Sequence, residues 1–104
     1  MDAVLRAIAE PNRRKILALV RDDEKTAGDV AAAFAISRPA VSQHLKVLED
    51  AGLVSVRRDG TRRLYRARRE ALGEVKAFID SYWRHGLARL KQAAEAEHRR
   101  VTDG

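Results

Sequence analysis

Apolar side chains in the first half of the chain recur at helical spacing, and the residues between them are of the kinds that start and stop helices. Val4, Leu5 and Ile8 predict a short helix over residues 3–8, ended by a polar run from Glu10 to Arg14. Pro11 fits the first turn of a second helix, where a missing N–H does no harm, and Ile16, Leu17, Leu19 and Val20 mark its buried face. A polar loop, residues 21–25, closes it. Thr26 with Asp29 three residues on has the form of a capping box, Asp standing where Glu is usual, and opens a third helix through Val30, Ala31, Ala33 and Phe34. The alanines at 31–33 let a neighbouring helix come close. After a tight turn Ser37 caps a fourth helix, in which Val41, Leu45 and Leu48 share one face and Gly52 supplies the stop.

Beyond Gly52 the period changes from helical to alternating. Residues 53–58 and 61–67 flank Asp59-Gly60 and predict two strands joined by a tight hairpin. Val54 and Val56 fall on one side of the first strand; on the second, Leu64 is expected inward, with Arg63 and Tyr65 outward. Residues 69–98 return to helical spacing, with Leu72, Val75, Ile79, Tyr82, Leu90 and Ala94 near one face and Phe78, Trp83 and Leu87 widening it. So wide a stripe exceeds what a terminal helix needs for contact within its own chain. The tail from His98 to Gly104 is expected to fray. The predicted fold is mainly α with a small β-hairpin, in the order α-α-α-α-β-β-α, as a single domain over residues 1–104.

Composition narrows the chemistry. The 104 residues include no cysteine, which removes disulfides, thiolate metal sites and cysteine nucleophiles together. The longest apolar run, Val30 to Ile36, is far too short to span a membrane, so a cytoplasmic protein with no membrane partner is expected. Net charge is +6, and seven arginines between Arg57 and Arg69 against one acid, Asp59, account for an excess equal to that total. A basic segment so concentrated on a hairpin favours a polyanionic partner.

The segments Ala9–Val20 (AEPNRRKILALV), Ser37–Val54 (SRPAVSQHLKVLEDAGLV) and Arg57–Ala67 (RRDGTRRLYRA) resemble the signature blocks of the ArsR-type, arsenic-repressor-like, bacterial transcriptional regulators. The resemblance is strong over about residues 5–67 and rests on position and character for the last helix. It implies a winged helix-turn-helix, with the helix-turn-helix at 26–52, the wing at 53–67 and a dimerisation helix at 69–98. It also implies a homodimeric repressor bound to double-stranded DNA at an inverted repeat, its first and last helices forming the interface.

The residues agree with that implication on their own terms. The fourth helix keeps Arg38, Pro39, Ser42, Gln43 and Lys46 off its apolar face, where a groove-bound helix would present them. Gln43 can pair in bidentate fashion with adenine and Ser42 is permissive, whereas Arg38 and Lys46 are better placed for phosphate. Ser37 is first a cap, and it is also counted with the DNA-facing residues. His44 matches a histidine of the family's recognition helix, but its neighbours Val41 and Leu48 suggest a structural hydrogen bond. On the wing, Arg57, Arg58, Thr61, Arg62 and Arg63 are expected at the minor groove or its phosphates, with Tyr65 packed and its hydroxyl toward a phosphate. The bland alternative for these arginines is an edge strand protected by charge. The expected dimer residues are Val4, Leu5, Ile8, Phe78, Ile79, Tyr82, Trp83, Leu87 and Leu90.

Metal sensing does not carry over from the family. The thiolate-bearing block of arsenic and cadmium sensors corresponds to Lys25–Phe34, which has no cysteine. Zinc sensors place Asp-x-His and His-x-x-Glu on the last helix; here Asp80 is followed by Tyr82, and His85 and His98 are about 20 Å apart along a helix axis. A site across a dimer using His85, His98, Glu95 or Glu97 is the remaining arrangement. No cofactor or metal is therefore assigned, and an unidentified small-molecule effector stays open. No glycine-rich phosphate loop, activated nucleophile or paired carboxylate suggests an enzyme. The alternatives to a sequence-specific regulator are a protein-binding winged helix, a ligand or metal sensor with an unfamiliar site, and a packaging protein without sequence preference.

Overall fold

A computed structural model describes residues 1–103, with side chains described through residue 98. The elements are α1 (Asp2–Ile8), α2 (Pro11–Val20), α3 (Ala27–Ala33), α4 (Arg38–Asp50), β1 (Val54–Asp59), β2 (Arg62–Ala67) and α5 (Arg69–Asp103). The last helix runs beyond the expected end at residue 98, so the tail expected to fray from His98 is helical as far as Asp103.

The predicted faces meet in one core. Ile16 and Val20 of α2, Val30 of α3, and Val41, Leu45 and Leu48 of α4 are fully buried with Leu53, and Val4, Ala7, Val54, Tyr65, Ala67 and Val75 close around them. Each such aliphatic side chain contributes roughly 1.5–3 kcal/mol by leaving water. Both α2 and α3 pack on α4, and α1 lies against α2, α4 and the start of α5.

Helix ends are fixed by side chains close in sequence. Thr26 and Asp29 form the full capping box, at 3.1 Å in each direction, and the Ser37 hydroxyl accepts from Ala40 N at 3.3 Å. Gly52, at φ +76°, lets the chain leave α4 in a Schellman motif, with Gly52 N donating to Glu49 O and Leu53 N to Leu48 O, both at 2.9 Å. A side chain would be strained at that φ. Two features were not read from the sequence. Glu10 caps α2 by accepting from Arg13 N at 2.9 Å. Arg13 and Arg14 reach back to the carbonyls that end α1: Arg13 donates to Ala7 O and Arg6 O, and Arg14 to Ile8 O and Ala9 O, at 2.6–3.2 Å. Arg6 O also accepts from Ala9 N at 3.3 Å in the last turn, whereas the other three lie past the final helical bond, and a cation suits the negative end of a helix.

The hairpin pairs Val54 with Ala67 through Asp59 with Arg62, leaving Gly60-Thr61 as the two-residue loop. Gly60 has φ +64° and Thr61 does not have positive φ, the sign pattern of a type II′ turn. This register corrects the expected facing of the second strand. Tyr65 stands opposite Val56 and belongs to the core, while Leu64 stands opposite Arg57, on the other face. Leu64 is nonetheless buried, so the strand is covered on both sides there. The α2–α3 loop runs along the outer edge of the second strand at Tyr65. Lys25 and Tyr65 exchange backbone hydrogen bonds at 2.8 and 3.1 Å, adding a single-residue third strand beside β2.

From Phe78 onward α5 leaves the core. Its stripe is exposed throughout, with Tyr82 66% and Leu90 64% accessible, and the molecule is drawn out to 74 × 26 × 22 Å. Among the described residues no helix is long and apolar enough to cross a membrane.

Candidate nucleic-acid interface

The amino-terminal cap of α4 and its buried Val41–Leu45–Leu48 face fix how the helix is rotated, and so fix what it turns outward. Arg38, Pro39, Ser42, Gln43 and Lys46 are all exposed, as the sequence pattern requires. Ser37, also exposed, holds the cap. Lys46 pairs with Asp50 one turn on at 3.2 Å, an exposed i,i+4 contact of small energy.

Between α4 and the wing lies a concave surface of about 700 Å³, bordered by Arg38, Ser42, Lys46 and Glu49 on one side and by Thr61, Arg62, Arg63 and Tyr65 on the other. Thr26 and Ala27 at the start of α3 also line it. The tip of the wing and the exposed ridge of the helix therefore present basic side chains to one space. Arg62 touches Asp59 at 3.5 Å in an exposed pair; Arg58 and Arg63 carry no partner among the described residues.

Two of the expected site residues are held by other parts of the chain. Arg57 gives both Nε and Nη2 to one carboxylate oxygen of Glu24, at 3.1 and 3.0 Å. With the Lys25–Tyr65 pairing beside it, this contact anchors the base of the wing to the α2–α3 loop and leaves the tip free. His44 is half-buried and its Nδ1 lies 3.4 Å from Arg13 Nη1. The structural hydrogen bond expected of His44 is thus present, and its partner is the arginine that caps α1. Tyr65 borders the concavity from within the core. Neither Glu24 nor Arg13 stood out in the sequence, because a lone charge in a loop or on a helix has no periodic signal.

Of the residues expected at a dimer interface, Val4 is 8% exposed and belongs to the core of the single chain. Leu5 and Ile8 are half-buried beside it. Phe78, Ile79, Tyr82, Trp83, Leu87 and Leu90 are exposed on α5, Tyr82 and Trp83 meeting edge to face at 6.1 Å. Among the described residues no group of three or more His, Asp or Glu is placed to hold a metal ion.

A helix-turn-helix whose second helix stands proud beside a basic hairpin defines a winged helix-turn-helix DNA-binding protein. Residues 10–56 match the arsR family of bacterial regulatory proteins. An HTH-type transcriptional regulator of Mycobacterium tuberculosis is 36% identical over 96 residues, covering 92% of this chain and 90% of that protein. The transcriptional repressor SdpR of Bacillus subtilis is 47% identical over 60 residues, 58% of this chain and 67% of the repressor. Among solved structures, the homodimeric winged helix-turn-helix DNA-binding domain of a possible ArsR-family regulator from Mycobacterium bovis superimposes with a TM-score of 0.66 at 31% identity, covering 78% of this chain and 75% of that one. The chain belongs to the ArsR family, and it is a DNA-binding transcriptional regulator.

Proposed function

We propose that the protein is a homodimeric repressor acting in the cytoplasm, without enzymatic activity, on an inverted-repeat operator. In this reading α4 enters the major groove with Arg38, Pro39, Ser42, Gln43 and Lys46 toward the DNA, and the wing tip, Arg58 to Arg63, lies along the neighbouring minor groove or its phosphates. Gln43 reads a base edge; Arg38, Lys46, Arg62 and Arg63 hold the backbone. Arg57 and His44 act as positioning residues, through Glu24 and Arg13 respectively.

The observation that carries the reading is the basic concavity shared by the exposed ridge of α4 and the tip of the wing. Dimerisation is supported by the uncovered apolar stripe on α5 and by the homodimeric neighbour, and repression by the name of the Bacillus relative. A twofold dimer would set its recognition helices about 34–36 Å apart, one turn of DNA.

The test is selection of bound duplexes from a random pool at about 150 mM salt, where weak nonspecific attraction is largely screened. An enriched inverted repeat with half-sites one turn apart is the expected result. Uniform retention of all sequences by the folded protein would overturn sequence-specific regulation in favour of packaging, and no retention would favour a protein partner.

A further inference from the structure

From residue 2 to residue 77 a single large apolar side chain is exposed, and it lies on the recognition helix: Val47, 40% accessible. Isolated exposed aliphatic residues are ordinary on protein surfaces. What sets Val47 apart is its place. Helical spacing puts Pro39, Gln43 and Val47 at i, i+4 and i+8 on one ridge. The adjacent ridge, Arg38, Ser42 and Lys46, borders the concavity toward the wing. Val47 therefore stands on the outer face of α4 one turn beyond Gln43. The core does not need it, since Val41, Leu45 and Leu48 already fill the buried side completely. Helix formation does not favour it either, because a β-branched residue is a weaker helix former than the Lys, Gln or Glu usual at an exposed position.

In the major groove the apolar feature of a base edge is the C5 methyl group of thymine. We propose that Val47 is a specificity-determining residue that packs against a thymine methyl within about two base steps of the base read by Gln43. Side chains at i and i+4 stand about 5–6 Å apart, and successive bases along a strand are about 3.4 Å apart, which sets that range. With adenine the preferred partner of Gln43, the ridge would select adjacent A·T pairs. The inference rests on α4 being the base-reading helix.

The experiment takes the duplex enriched by the selection above and replaces each thymine in turn by uracil, in both half-sites. The exchange removes one methyl group and leaves every hydrogen-bonding group in place. Wild-type protein is expected to lose about fourfold in affinity per half-site at one thymine position, the effect of one buried methyl group. Val47→Ala should bind the thymine and uracil duplexes equally. Val47→Thr, which keeps a branched methyl, should retain the discrimination. Because the side chain is exposed, both variants keep the fold, checked by circular dichroism. Full discrimination by Val47→Ala, or no uracil-sensitive thymine in the wild type, overturns the proposal while leaving α4 as the DNA-binding helix. Failure to enrich any duplex overturns both together.

Discussion

Gln43 and Asp29 show how single side chains near the DNA face do different work. Gln43 is exposed and has no hydrogen-bond partner among the described residues; Gln43→Ala should weaken operator binding by about 1–3 kcal/mol at one base position only. Binding measured across single-base variants of the operator checks this, since loss of a phosphate contact would weaken all variants equally. Asp29 works locally. The hydrogen bonds from Thr26, first its backbone N–H and then its hydroxyl, hold the Asp29 carboxyl below its ordinary pKa of 3.8. A lowered folded value means that the stabilisation is complete above the ordinary value and is lost as pH falls through the lowered one. Urea unfolding between pH 5 and pH 2 should show Asp29→Asn less sensitive to acid than the wild type, and identical sensitivity would remove the cap from the account. Ser37→Ala should cost about 1 kcal/mol of stability through the cap of α4.

At the scale of elements, the wing divides into an anchored base and a free tip. Arg57 belongs to the base, through Glu24, and Arg62 and Arg63 belong to the tip. Their substitutions should therefore separate in salt titrations of DNA binding. Arg62→Ala with Arg63→Ala should lower the slope of log K against log salt by about one unit per phosphate lost. Arg57→Ala should weaken binding with the slope unchanged, and Glu24→Gln should reproduce it, because both loosen the hairpin without removing a phosphate contact. An altered slope for Arg57→Ala would return that residue to the interface. The Arg13 link plays a similar part for α4, joining the carbonyl end of α1 to His44 of the recognition helix. The orientation of α4 is thus tied to the helix that lies beside the start of α5.

For the whole molecule the central fact is that α5 outgrows the domain that starts it. At 35 residues it is roughly 52 Å long, and from Phe78 to Leu90 its large apolar side chains are exposed. An isolated stretch of helix is marginal in water, so a second copy that buries the stripe would also supply the stability of the helix. Tyr82→Asp combined with Leu90→Asp should give a monomer by sedimentation, with reduced helical circular dichroism and operator affinity reduced toward that of one half-site. Retention of the dimer would move the interface away from this face of α5.

The helices, their caps, the hairpin and the outward face of α4 were legible in the sequence because each depends on residues a few positions apart. Period 3.6 gave way to period 2 at Gly52, Ser37 and Thr26 stood where caps belong, and Arg38 to Lys46 could be seen to avoid the apolar stripe. What only the tertiary structure decided involves residues distant in the chain. Tyr65 falls on the core face beside Val56, and Lys25 pairs with its backbone across 40 positions; Arg57 is taken up by Glu24, 33 positions earlier; and Arg13 meets His44 across 31. Val47 carried no signal in the sequence because single exposed aliphatic residues are ordinary; what the packing adds is its 40% exposure beside a buried face already filled by Val41, Leu45 and Leu48. Local hydrogen bonding and periodicity are written into neighbouring residues, whereas the choice among exposed charges and apolar groups depends on which other element arrives beside them.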